Sequence, residues 1–215
     1  MYTINAVASL LIILPVAAGW IRYRHIQPAS NPFIWWLSLG LVNELISLWA
    51  NSALGTNAVN SNIFKLVSTI MILYQLHRWN PAVFRISLVY GTAMLFLLLF
   101  MGEWAFRGSL FVFFSYQAIL SALLIVFVTG YFLSKRIPDA VDWLYHDAIT
   151  LICMGWLIVY TSAISTQFFI FYAGPSVTAV YVPLAFSAVN LLCNLLFLYA
   201  ILCLPLNIRS FLRRC

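Results

Sequence analysis

Apolar runs closed by short polar turns follow one another along the whole chain. Segment one covers residues 2–20, and its Pro15 predicts a mild kink. The basic turn IRYRHIQPASNP leads into segment two, residues 32–50, which opens with Phe33, Trp35 and Trp36. The small, uncharged stretch 51–62 reads as a turn and a helix start. Segment three covers 60–76 and ends at HRWNP, with Asn60 as a candidate cap. Segment four covers 81–101 with Pro81 in its first turn, and GEWAFRG is the turn that follows it. Segment five covers 109–133 and closes at SKRIPD. Segment six covers 141–172, too long for one untilted crossing, so its first turns are expected at the cytoplasmic surface. AGPSVTA is the sixth turn. Segment seven covers 181–204, with Pro183 in its first turn and Pro205 as its stop.

Runs of this length must be helical, because lipid offers open backbone groups no partner. The short alternating segments of a membrane β-barrel are absent. The expected fold is therefore all-α, a polytopic membrane protein with seven transmembrane helices in one bundle. Residues 1–205 form the bundle and 206–215 a short basic tail. Composition supports this. The chain has 215 residues, 64% of them hydrophobic and 7% charged, with mean hydropathy +0.99. A soluble domain carries about 25% charged residues. Five acids and eleven bases cannot cover a water-facing surface of this size. An ordinary cytosolic enzyme, a disulfide-built secreted domain and a disordered chain are excluded.

The charges also set an orientation. With the N-terminus outside, the inner turns receive Arg22, Arg24, Arg78, Arg85, Lys135, Arg136, Arg209, Arg213 and Arg214. The outer turns receive only Lys65 and Arg107. An even scatter would place nine of eleven bases on that side only about 3% of the time, so the C-terminus is expected in the cytoplasm of a cell-membrane protein. The net charge of +6 then reads as anchoring beside anionic lipid, with no nucleic-acid partner. Segment one lacks a basic start and reads as an uncleaved helix. Cys215 is either a free terminal thiol or a palmitoylation site.

Glu44 is the sharpest chemical feature, an acid inside segment two. An ionised carboxylate at that depth needs a partner or a wet cavity, and Lys65 is the expected partner. Asn43 and Ser47 share a helix face one turn apart. Asn190 and Asn194 do the same in segment seven, and Trp156 is either core packing or a ligand wall. Glu44, Lys65, Asn43, Ser47, Asn190, Asn194 and Trp156 are thus the expected ligand-binding set, with interhelical hydrogen bonding as the alternative role of the amides. A second cluster lies in DAVDWLYHD. Asp139, Asp142 and His146 fall on one helical face and, with His77, could hold a metal; Asp142, His146 and Asp147 could act catalytically. Acids at a helix start are also ordinary dipole partners. P-loop, GxGxxG and GxSxG motifs are absent, and segment seven has no lysine, which excludes a retinal Schiff base there.

Four function classes fit. The leading one is a sensory module that binds a small apolar or amphipathic molecule or a lipid. The others are an intramembrane metal-dependent lipid hydrolase, a transporter or channel, and a structural subunit held by another membrane protein.

Overall fold

A computed structural model describes residues 7–136, 147–172 and 175–205. Seven helices account for most of them. They are α1 (Ile13–Arg22), α2 (Asn31–Leu54), α3 (Ala58–Trp79), α4 (Ile86–Arg107), α5 (Ser115–Arg136), α6 (Ala148–Tyr172) and α7 (Pro175–Cys203). A one-turn 3-10 helix, Pro28–Ser30, precedes α2. Five helices are long and apolar enough to cross a membrane, with spans Pro28–Leu54, Ile86–Arg107, Ser115–Arg136, Ala148–Phe169 and Leu184–Cys203. The chain is an all-α, multi-pass membrane protein. The other two helices fall short for different reasons. The apolar stretch Val7–Arg22 that contains α1 extends only about 24 Å at 1.5 Å per residue. In contrast, α3 is long enough but carries Asn60, Asn62, Lys65, Ser68, Thr69, Gln75, His77 and Arg78.

Several helix ends differ from those the hydropathy predicts, because polarity marks where an apolar run ends and backbone chemistry marks where a helix ends. The polar residues Asn51 and Ser52 lie inside α2, which stops at Gly55 with φ +72°. GEWAFR is likewise the end of α4 and not a turn, and Gly108 terminates it with φ +67° while donating to the Trp104 carbonyl. Glycine has no Cβ to clash in this left-handed geometry. Pro81 does not open α4. It follows Asn80, whose side-chain oxygen accepts from the Val83 N–H in a turn, and α4 starts at Ile86. At α7 the proline that starts the helix is Pro175, so Pro183 lies within it and the expected sixth turn is mostly helical. Pro15 does disturb the first helix. It cannot donate to the Leu11 carbonyl, and the Leu14 N–H takes that oxygen instead at 3.1 Å, so the helix breaks at residues 11–12.

The packing is a ring. Each of α1, α2, α3, α5, α6 and α7 packs on the next, and α7 returns to α1. Outside the ring, α4 rests on α3 and α5. It touches them through Val89, Phe96 and Glu103, a single seam with a seven-residue repeat. Most of its other apolar side chains, including Tyr90, Met94, Leu98 and Phe106, are exposed.

The ring is filled by aromatics. Phe33 and Trp36 of α2, Trp156 of α6 and Phe197 of α7 pack with centroids 5.6 to 6.0 Å apart. Trp79 of α3 continues the stack, 5.7 Å from Trp156 and 6.1 Å from Phe132 of α5. Such pairs contribute about 0.5–1.5 kcal/mol each beyond their buried area. Gly155 makes the stack possible, because a Cβ there would overlap the Phe197 ring.

Gly155→Ala is therefore expected to destabilise the purified chain by about 1–3 kcal/mol, the usual cost of overpacking. Thermal unfolding in detergent checks this. Gly91→Ala, whose added methyl meets nothing within 4 Å, should leave the midpoint unchanged or slightly raised.

Candidate functional site

The polar residues of α2 and α3 near the turn that joins these helices divide into two groups. Asn60 does not cap α3. Its amide nitrogen lies 3.0 Å from the Asn43 carbonyl, 2.9 Å from Asn43 Oδ1 and 3.0 Å from Ser47 Oγ. One amide has two hydrogens, so it shares them among three acceptors. Asn43, Ser47 and Asn60 thus satisfy one another and join α2 to α3.

Glu44 belongs to the other group. One residue along a helix turns the side chain by about 100°, so Glu44 points away from its neighbour Asn43. It faces the Ser9 hydroxyl, ahead of α1. The expected Glu44–Lys65 pair does not form. Asn190 of α7 also donates to Ser9 Oγ, at 3.4 Å. One turn further on, Asn194 donates to the Ala8 carbonyl at 3.3 Å. That carbonyl is free because the Ile12 N–H, its regular helical partner, donates to Ser9 O instead. Glu44, Asn190 and Asn194 therefore converge on the broken start of the first helix. Among the described residues, no basic side chain lies within 4 Å of Glu44.

Lys65 points elsewhere. Its ammonium lies 5.7 Å from the centre of the Phe113 ring and in the field of Glu103. Glu103 is more than the local partner of Arg107, 3.6 Å away. Its carboxylate accepts the N–H groups of Tyr116 and Gln117, at 3.3 and 2.9 Å, and so caps α5 from a different helix. Asn62 holds the same connection. It accepts from the Phe114 N–H at 3.0 Å and donates to the Val112 carbonyl at 2.8 Å.

Deeper in the bundle, Trp36 donates to Ser68 Oγ at 2.7 Å, and Ser68 meets the Tyr160 hydroxyl at 2.9 Å. This chain of bonds ties α2, α3 and α6. Trp156 is fully buried within the aromatic stack.

At the opposite end the basic turns meet. Arg22 donates to the Ile201 carbonyl and caps the last turn of α7. Gln75 donates to the Ala29 carbonyl at 2.7 Å, and His77 Nδ1 bonds the Phe84 carbonyl. Asp147 accepts a two-pronged pair from Arg136, at 2.8 and 3.0 Å. It also accepts the Thr150 N–H and hydroxyl, at 3.2 and 2.6 Å, as the N-cap of α6. Burial opposes the Asp147 carboxylate, but the Arg136 and Thr150 hydrogen bonds and the Arg136 charge together hold it below the usual aspartate value. Asp139, Asp142 and His146 lie outside the described residues. Among the described residues no group of three or more His, Cys, Asp or Glu is placed to hold a metal ion.

Three contributors escape a reading of the sequence. Ser9 is a lone hydroxyl in an apolar run. Ser68 gains its role from Trp36, 32 positions away. Glu103 has a helical partner four residues on that hides its second one. A signal for Glu103 does exist: it is the one acid in a 22-residue apolar helix, and the next helix starts twelve residues later.

Asp147→Asn should destabilise the chain by about 1 kcal/mol at neutral pH, because asparagine keeps the cap on α6 but loses the ionic pairing with Arg136. The folded carboxyl lies below the ordinary value of 3.8, so its contribution is complete above that value. It is lost as pH falls through the lowered folded value. Unfolding measured from pH 8 downward should show a constant gap between native chain and variant that closes only below pH 3.8.

No family model matches the chain, and neither the curated proteins nor the solved structures contain one similar to it.

Proposed function

We propose that this chain is a sensory or ligand-binding seven-helix module. On this reading all seven helices cross the bilayer, with the N-terminus outside and the C-terminus in the cytoplasm. The outer half takes a small amphipathic molecule or a lipid between α1, α2 and α7, and Glu44 is its polar contact.

One observation carries the reading. Glu44 is an acid in an apolar helix that faces a hydroxyl and has no base within 4 Å among the described residues. The helix it faces is interrupted at residues 11–12. Interrupted helices beside polar side chains are how membrane bundles build sites for polar groups, because the freed backbone needs partners. A broken helix of about 24 Å is also the easiest wall of the ring to displace. A carboxylate, a hydroxyl and a carboxamide favour a ligand with a positively charged or hydrogen-donating head. The Asn43–Ser47–Asn60 set is the floor beside this site, joined within itself. The hydrolase alternative draws less support, since Asp147 and His77 already have other partners.

A photoreactive long-chain alkylamine tests the proposal. It should label peptides from α1 and α7 of the reconstituted chain. Glu44→Gln should reduce labelling at least about tenfold, the worth of one charge-assisted hydrogen bond. Equal labelling of both proteins would contradict the reading.

A further inference from the structure

An open groove of about 480 Å³ runs along the start of α4 and the turn before it. Its mouth holds Arg85 and Ser87, and its floor runs along Leu88, Gly91, Thr92 and Leu95. These last four are spaced i, i+3, i+4, i+7, one stripe along a helix. The candidate span of α4 begins at Ile86, so the mouth lies at the membrane surface and the stripe lies inside the span. A second hollow, of about 120 Å³, adjoins it through Val83 and is lined by Trp79, Asn80, Phe132, Lys135 and Arg136. Among the described residues, neither lining contains an acid. Arg136 is bound to Asp147, whereas Arg85 and Lys135 have no carboxylate within 4 Å among the described residues. The Lys135 ammonium rests 5.7 Å from the Tyr131 ring centre.

We infer that this groove is a binding site for one anionic phospholipid, its phosphate held between Arg85 and Lys135 and one acyl chain lying along the Gly91–Thr92 stripe of α4. Charge complementarity selects the head. The apolar stripe, which continues from the mouth into the span, selects a lipid over a soluble anion. Gly91 lies midway along the stripe, and a side chain added there meets nothing in the protein and would project into the groove. Basic pockets between helices on the cytoplasmic side commonly hold anionic heads, and each nearby basic side chain contributes a roughly fivefold preference. The site is at the opposite end of the bundle from Glu44 and does not depend on the function proposed above.

Native mass spectrometry of the full chain decides this. The probe is mixed micelles holding equal amounts of phosphatidylglycerol and phosphatidylcholine with the same acyl chains. The native chain should retain one phosphatidylglycerol with at least about a tenfold preference, given two basic side chains. Arg85→Gln with Lys135→Gln should bring the preference close to one. Gly91→Leu should lower retention of phosphatidylglycerol severalfold while circular dichroism and the melting midpoint hold, which separates a filled groove from a misfolded chain. Equal retention of the two lipids by the native chain would overturn the proposal and show ordinary annular lipid. So would an unchanged preference in the charge variant, or unchanged retention in Gly91→Leu.

Discussion

Hydrocarbon offers no hydrogen-bond partner, so a polar side chain in a membrane bundle must find its partner within the protein. The helix α3 is where this constraint bites hardest, and the fold is arranged around it. It is the most polar of the seven and it packs on α2, α4 and α5. Asn60 bonds to α2, and Asn62 holds the connection before α5. Ser68 joins Trp36 and Tyr160. Thr69 returns to the Lys65 carbonyl, Gln75 reaches Ala29 and His77 bonds Phe84. A helix too polar to face lipid on its own is thereby kept inside the ring, and its partners on neighbouring helices specify the order in which those helices pack.

The same constraint separates structural polar residues from available ones. Where two side chains satisfy each other across a helix pair, as Asn43 and Asn60 do, they act as ties. Glu103 is a tie as well, since its charge is spent on the start of α5. Glu44 differs, because the first helix meets it with a single hydroxyl and a broken backbone. The aromatic stack from Phe33 to Phe132 holds the bundle rigid at the basic end. The bundle thus has a firmly packed half and a half in which one wall is short and interrupted.

Much of this architecture was legible in the sequence, and the parts that were not share a physical cause. Apolar runs reveal helices directly, so the segments around Trp36, Ser121 and Trp156 were plain. Helix ends were not, because Gly55 and Gly108 stop their helices several residues beyond the last apolar run. The polar character of the region around Glu44 was legible; its pairing was not. Counting turns places Glu44 and Lys65 at similar depth, but depth says nothing about direction around the helix axis. Glu44 turns to the first helix while its neighbour Asn43 turns to α3. Ser9 and Ser68 matter only through residues far away in the chain, and such partners cannot be read from spacing.

In the proposed seven-span topology α3 crosses the bilayer despite its polarity. Single cysteines placed just before and just after it test this most directly. Ser52→Cys and Ala82→Cys, each exposed, would be made in a chain whose native cysteines are replaced, then probed with an impermeant maleimide on sealed vesicles. If α3 crosses, one position reacts on intact vesicles and the other only after permeabilisation. Reaction of both from the same face would contradict it.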